Sequence, residues 1–156
     1  MLKAPLHNWK ASFQVYKNPK VLAMLFLGFS AGLPILLVFG TLSAWLNSED
    51  IDKSTIGFVS WVALAYGLKF IWSPLVDRMP IPLLTGVLGQ RRSWMLLAQL
   101  GVITGLAALS MYDPKTSLTS IVSFAVLTAF SSATQDIAID AWRIESIDDE
   151  YQGAMA

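Results

Sequence analysis

The sequence contains no cysteine, which excludes disulfides, thiolate metal sites and thiol nucleophiles. It holds a single histidine, His7, and one imidazole cannot build a histidine-rich metal centre. Charge is scarce too. Asp, Glu, Lys and Arg make up 14% of the 156 residues, where soluble domains carry about 25%. Too few polar groups remain to cover a water-facing surface, which argues against an ordinary soluble enzyme. The 11 basic and 11 acidic residues cancel, so there is no cationic excess for nucleic acid. What is abundant is apolar: 54% of the chain is hydrophobic and the mean hydropathy is +0.54. Disorder needs the opposite composition. The length suits about one domain, and the composition places it in lipid.

A helix that crosses a bilayer needs about 20 mostly apolar residues. Four stretches qualify, and they predict helices over about 21–46, 54–76, 94–112 and 116–143. The first carries no charge and is too long for a signal-peptide core, so it reads as a retained span. None of the four alternates as barrel strands do. The expected fold is therefore an all-α polytopic bundle of about four membrane helices, residues 21–156, preceded by a cytoplasmic or interfacial segment, residues 1–20. In that segment Trp9, Phe13, Val15 and Tyr16 mix with Lys10 and Lys17, as in an interfacial anchor or a partner-binding helix. Ser54 or Thr55 is a candidate cap for the second helix and Ser93 for the third. The connector 77–92, with Pro80, Pro82, Gly86 and Gly89, reads as irregular backbone outside the hydrocarbon.

The basic residues set the expected orientation. Lys3, Lys10, Lys17, Lys20, Arg78, Arg91, Arg92 and Arg143 fall on one side, against Lys53 and Lys115 on the other. The positive-inside rule then puts the N-terminus in the cytoplasm.

Three ionisable residues fall inside the spans: Lys69, Asp136 and Asp140. A charge at the centre of a spanning helix costs about 2.5–3.5 kcal/mol, so such residues face a bundle interior or a wet cavity. Asp136 and Asp140 share a helix face, and Lys69 lies at a similar depth in the second span, so a pair with either is geometrically possible. The set reads as a proton-coupling or substrate site, because a carboxylate drawn into low dielectric can take and release a proton. It reads equally as a charge-neutralised clamp between helices. Gln135 belongs to a small polar stretch, Ser131 to Gln135, which can pack closely or line a hydrated route. Gln99 is isolated and reads as an interhelical hydrogen bond. Gly28, Gly32 and Pro34 in the first span suit close helix packing, or a bent helix that lines a pathway. Asp77, Arg78, Arg91 and Arg92 form a charged connector that could act as a topology determinant or as a cytoplasmic gate. In the gate, Asp77 pairs with a base such as Arg143. No metal, cofactor or catalytic constellation is apparent.

Asp77-Arg78, then Gly89 and the paired Arg91-Arg92, resembles the loop between the second and third helices of major facilitator transporters. Three further segments carry a more specific likeness. They are Gly28 to Pro34 with Thr41 to Trp45, Lys69 to Arg78, and Ser131 to Trp142. Together they resemble the N-terminal part of the AmpG-like muropeptide permeases of that superfamily, and the last is also similar to the acetyl-coenzyme A transporter branch. The resemblance implies a proton-coupled inner-membrane importer of cell-wall anhydromuropeptides. Its partners would be that substrate, protons, the bilayer and the C-terminal half of the transporter. It implies a fragment, with Gly153 to Ala156 as the start of a fifth helix. Transport of acetyl-coenzyme A or another solute is the alternative, and a small non-transporting four-helix membrane protein is a third.

Overall fold

The computed structural model describes residues 16–146. Trp9, Phe13, Val15 and the expected fifth-helix start at 153 lie outside the described residues. Within them, four helices are long and apolar enough to cross a membrane. They are α1 (Pro19–Ser48), α2 (Lys53–Ile71), α5 (Gln90–Leu109) and α6 (Leu118–Ser146), with short α3 (Ser73–Arg78) and α4 (Leu84–Leu88) between the second and third spans. Lys20 Nζ donates to Ser146 O at 2.6 Å, while Lys115 Nζ lies 3.1 Å from Glu49 Oε2. The start of α1 thus meets the end of α6, and the end of α1 meets the approach to α6, so these two spans are antiparallel.

Local chemistry explains where the helices begin. Asn18 accepts from the Lys20 N–H at 3.0 Å, and Pro19 fills the first turn, where no N–H is required. At α2 the cap is Asp52, whose carboxylate accepts from the Ser54 N–H at 3.1 Å and from the Ser54 hydroxyl. Ser54 is therefore a donor to the cap and not the cap itself. The third span starts at Gln90, earlier than its apolar stretch, so Ser93 lies buried inside the first turn and donates to Gly89 O at 2.7 Å.

Two spans depart from regular helix. Pro34 inside α1 has no N–H to give, and Leu36–Thr41 just beyond it is a π-helix. The Leu42 N–H closes that segment onto Leu37 O. The helix expected over 54–76 divides. Ser60–Ala63 and Lys69–Ile71 are 3-10 turns, and α3 begins afresh at Ser73. Pro74 explains the break before α3, since it cannot donate to the Phe70 carbonyl. The Ser73 hydroxyl takes that role at 3.2 Å.

The connector is more ordered than irregular backbone. The Gln90 amide donates to Val76 O at 3.0 Å and to Met79 O at 2.6 Å, and Trp94 Nε1 donates to Met79 O at 2.9 Å. These bonds satisfy the end of α3. Gly89 joins α4 to α5 at φ 82, a conformation that glycine adopts without penalty.

α6 is the centre of the bundle and packs against every other span. Two of its buried hydroxyls bond back along the helix: Thr128 donates to Phe124 O and Thr134 to Phe130 O, each at 2.8 Å. The tightest approach is to α5. A Cβ on Gly101 would strike Ser131, and one on Gly105 would strike Thr128 and sit 3.2 Å from Phe124 O. Two apolar clusters fill the interior, one around Val21, Val76 and Ile139, the other around Leu46, Ile121 and Ala125. Large apolar side chains such as Phe26, Phe29, Leu36 and Phe70 point outward. That is the arrangement of a bundle whose solvent is lipid.

Candidate functional site

Lys69 Nζ lies 2.6 Å from Asp136 Oδ2, and both side chains are only 34% exposed. Of the two pairings open to Lys69, the fold selects Asp136. The 3-10 turn at Lys69–Ile71 presents the lysine to the middle of α6. One turn away, Trp72 Nε1 donates to Thr134 Oγ1 at 3.2 Å, and the Trp72 ring lies 4.7 Å from that of Phe130. The ion pair is thus flanked by a second contact onto α6, made by Trp72 between α2 and α3.

Asp136 also faces a cavity of about 530 Å³ between α1 and α6. Its walls include Gly28, Gly32 and Met24 from α1 and Asp136, Asp140 and Arg143 from α6. Nothing lies within 4 Å of where a Cβ would stand on Gly28 or Gly32. Among the described residues, then, the GxxxG of α1 packs against no helix and faces this open space. The glycine spacing that does make a helix contact is Gly101–Gly105 in α5, which the sequence carried with the same spacing. Pro34 is buried next to this stretch. Asp140 Oδ1 lies 3.8 Å from Arg143 Nη2, a contact within one helical turn.

Gln135 points another way. It is 1% exposed, and its amide donates to Ser30 Oγ at 3.3 Å. With Ser30, Gln99, Val102 and Ile103 it lines a second cavity of about 260 Å³. Next to it, the Ser132 hydroxyl donates to Ala31 O at 3.4 Å.

The charged connector forms a cluster, with different partners from those expected. Arg91 Nη1 meets Asp77 Oδ1 at 2.5 Å, and Arg91 Nη2 meets Glu145 Oε1 at 2.6 Å. Asp77 pairs with Arg91 and not with Arg143, because Arg143 turns back along α6 to Asp140. Glu145 completes the cluster. It was missed because a charge in a last helical turn ordinarily faces solvent, and nothing local marks it as a partner of residue 91. Arg78 and Arg92 are exposed and form no ion pair among the described residues.

The geometry offers a charged cavity, a neutral polar cavity, and an ionic latch at one end of the bundle. Among the described residues no His, Cys, Asp and Glu group is placed to hold a metal.

The family described as acetyl-coenzyme A transporter 1 matches residues 20–113. The anhydromuropeptide permease of Escherichia coli (strain K12) is 43% identical over 143 residues, covering 92% of this chain and 28% of that protein. Putative transporter AmpG 4 of Rickettsia felis is 38% identical over 139 residues, covering 89% of this chain and 33% of that protein. Putative transporter AmpG 3 of Rickettsia prowazekii is 39% identical over 133 residues, 84% of this chain and 31% of that protein. The chain spans about three-tenths of the length of these curated relatives.

Proposed function

Because this chain belongs to the acetyl-coenzyme A transporter 1 family, whose relatives are named transporters and permeases and not enzymes, we propose that it forms the N-terminal helices of a proton-coupled anhydromuropeptide importer. The likeness to the permease of Escherichia coli supports the substrate class. The observation that carries the coupling is the Lys69–Asp136 pair, set between α2 and α6, with Asp136 in the wall of the larger cavity. A proton taken by Asp136 neutralises its carboxylate, breaks the ion pair and frees the Lys69 ammonium as a net positive charge. Lys69 can then meet a carboxylate on the peptide part of the substrate. Loss of the proton restores the pair and expels that carboxylate. Each state keeps one partner for the lysine, which limits the cost of charge in a low dielectric.

The proposed setting is the inner membrane with the N-terminus in the cytoplasm. The basic residues Lys20, Arg91 and Arg143 gather at one end of the bundle, as the positive-inside rule requires of the cytoplasmic side. The remaining helices of the transporter would close the site.

The test is uptake of labelled anhydromuropeptide by cells that make the full-length permease, with and without a proton uncoupler. The expected result is uptake that the uncoupler abolishes. Lys69→Ala and Asp136→Asn should each lower uptake about tenfold or more, the worth of one charge-assisted hydrogen bond. Uptake indifferent to the uncoupler, with both variants equal to wild type, overturns the coupling role. The family description favours acetyl-coenzyme A as a second substrate reading. Such a ligand carries several phosphates, and the described cavity offers Arg143 with Lys69 behind Asp136. Competition by unlabelled acetyl-coenzyme A separates the two.

A further inference from the structure

The Tyr66 hydroxyl is buried and has no hydrogen-bond partner among the described residues. Tyr66 belongs to Leu64–Gly67, the turn of α2 that packs directly on α6. Its ring is held edge-on by Phe39 of α1, with 6.0 Å between centroids and 61° between planes. It also packs on the apolar cluster around Leu46, Ile121 and Ala125. The phenol is thus fixed at the seam between helices. A buried donor and acceptor left unpaired costs stability, so its place there points to a partner in another state of the site.

The seam supplies that partner. Tyr66 and Lys69 are three residues apart on α2, and Ser132 and Asp136 are four apart on α6. Such spacings place side chains on successive turns of one helix face. The groups of α6 that act electrostatically on the phenol are Ser132 and Asp136. Here neither completes a bond to it. The Ser132 hydroxyl is given to Ala31 O at 3.4 Å, and Asp136 holds Lys69 Nζ at 2.6 Å. The other titratable groups in the wall that Asp136 shares are Tyr16, which precedes α1, and Asp140 and Arg143 of α6. α1 brings no charge to that wall, and α5 has no ionisable residue beyond Arg92.

We propose that Tyr66 is a positioning residue for the proton site: it receives the O–H of Asp136 once that carboxylate has taken a proton. This deepens the reading of the chain as part of a proton-coupled importer and rests on it. The proton comes from water at the cavity that Asp136 lines, binds one carboxylate oxygen and breaks the pair with Lys69. The acid group then has a donor to place in a low-dielectric seam. Tyr66 Oη accepts it, the Tyr66 O–H donates to Ser132 Oγ, and the Ser132 O–H stays on Ala31 O. A hydroxyl donates once and accepts on two lone pairs, so every group in this line is matched. Tyr66 keeps its own proton throughout. When Asp136 loses its proton, the line opens at the phenol and Lys69 regains its partner, which is the arrangement in this structure. The unpaired phenol thus disfavours one state and stabilises the other.

The test follows the carboxylic-acid C=O band of Asp136 by infrared titration of the purified full-length permease. Asp136→Asn identifies the band by its loss. Tyr66→Phe removes the hydroxyl and keeps the ring against Phe39, and Ser132→Ala cuts the line one step further on. The expected result is a band whose midpoint lies about one pH unit lower in Tyr66→Phe than in the wild type, the worth of one neutral hydrogen bond. Ser132→Ala should move it the same way by less. A midpoint unchanged in Tyr66→Phe, or moved to higher pH, overturns the proposal. So does a lower melting temperature with no shift, which assigns the phenol to packing. Muropeptide uptake and its response to an uncoupler are read on the same proteins. A shifted midpoint with uptake indifferent to the uncoupler defeats the coupling reading alone. Coupled uptake with an unshifted midpoint defeats this inference alone. A band that never forms in the wild type means that Asp136 takes no proton, and defeats both.

Discussion

The Lys69 ammonium and the Asp136 carboxylate meet at 2.6 Å, and Lys69 sits where α2 gives up regular helix for a 3-10 turn. The break and the ion pair belong together. A lysine on a continuous helix would be held at one angle to α6, whereas a lysine on a tight turn can shift with a small change in backbone. Breaking the pair from either side leaves an uncompensated charge. Both side chains keep about a third of their surface, so the penalty is smaller than for a sealed pair. Lys69→Ala and Asp136→Ala should each lower stability in detergent by about 1–3 kcal/mol. The double variant should lose less than the sum of the two. Thermal unfolding of all four proteins measures the coupling, and additive losses would remove the pair from the account.

The two glycine pairs should respond in opposite ways. Gly101→Ala puts a methyl against Ser131 and should cost about 1–3 kcal/mol as overpacking between α5 and α6. Ser131→Gly in the same protein should restore part of that loss. Gly28→Ala and Gly32→Ala meet open space, so stability should hold or rise by up to about 1 kcal/mol from helix propensity. Uptake should fall nonetheless, because the methyls narrow the charged cavity. Melting temperature and uptake, measured on the same variants, separate the two effects.

Arg91 holds two carboxylates from two elements at once. Its planar fork allows this, and an ammonium presents no such fork. Arg91→Lys should keep one contact and release the other. Arg91→Ala should release both and cost about 1 kcal/mol, given the exposure of Asp77 and Glu145. Faster backbone amide exchange in α3 and at the end of α6 is the expected sign. An unchanged exchange pattern in Arg91→Ala would show that the latch holds nothing.

The turns carry the expected pH response. The Ser54 hydroxyl bonded to Asp52 holds that carboxyl below its ordinary 3.8, against a smaller opposing effect of desolvation. Its contribution to the start of α2 is present above pH 3.8 and is lost as pH falls through the lowered value. The hydrogen bond from Lys115 to Glu49 holds the ammonium above 10.5. That contribution is complete below pH 10.5 and is lost as pH rises through the raised value. The protection factor of the Ser54 amide, its exchange rate divided into the intrinsic rate at the same pH, should fall in acid in the wild type, and Asp52→Ala should show the low protection at neutral pH. A protection factor independent of both would contradict the cap.

The four spans were legible because uninterrupted apolar length is a strong signal, and Lys69 and Asp136 stood out because charge is rare there. The break in α2 was less legible. Pro74 and Gly67 were visible, yet proline is tolerated in membrane helices often enough to leave the span whole on paper. The choice of Arg91 over Arg143 for Asp77 depended on how α5 and α6 rotate about their axes, which hydropathy does not encode. The same rotation decides that Gly101–Gly105 touches a neighbour and Gly28–Gly32 does not. Ser30, Gln99 and Gln135 lie on three different helices, so their convergence follows only from the packing.

Every other span leans on α6, which is also the latest of the four to leave the ribosome. Until it arrives, α1, α2 and α5 wait in the bilayer without the partner that orients them, and Lys69 waits without its counter-ion. Biogenesis of this bundle is therefore gated by its final described span. A mutation in α6 that delays insertion should expose the earlier helices to membrane quality control, even where the finished protein is sound.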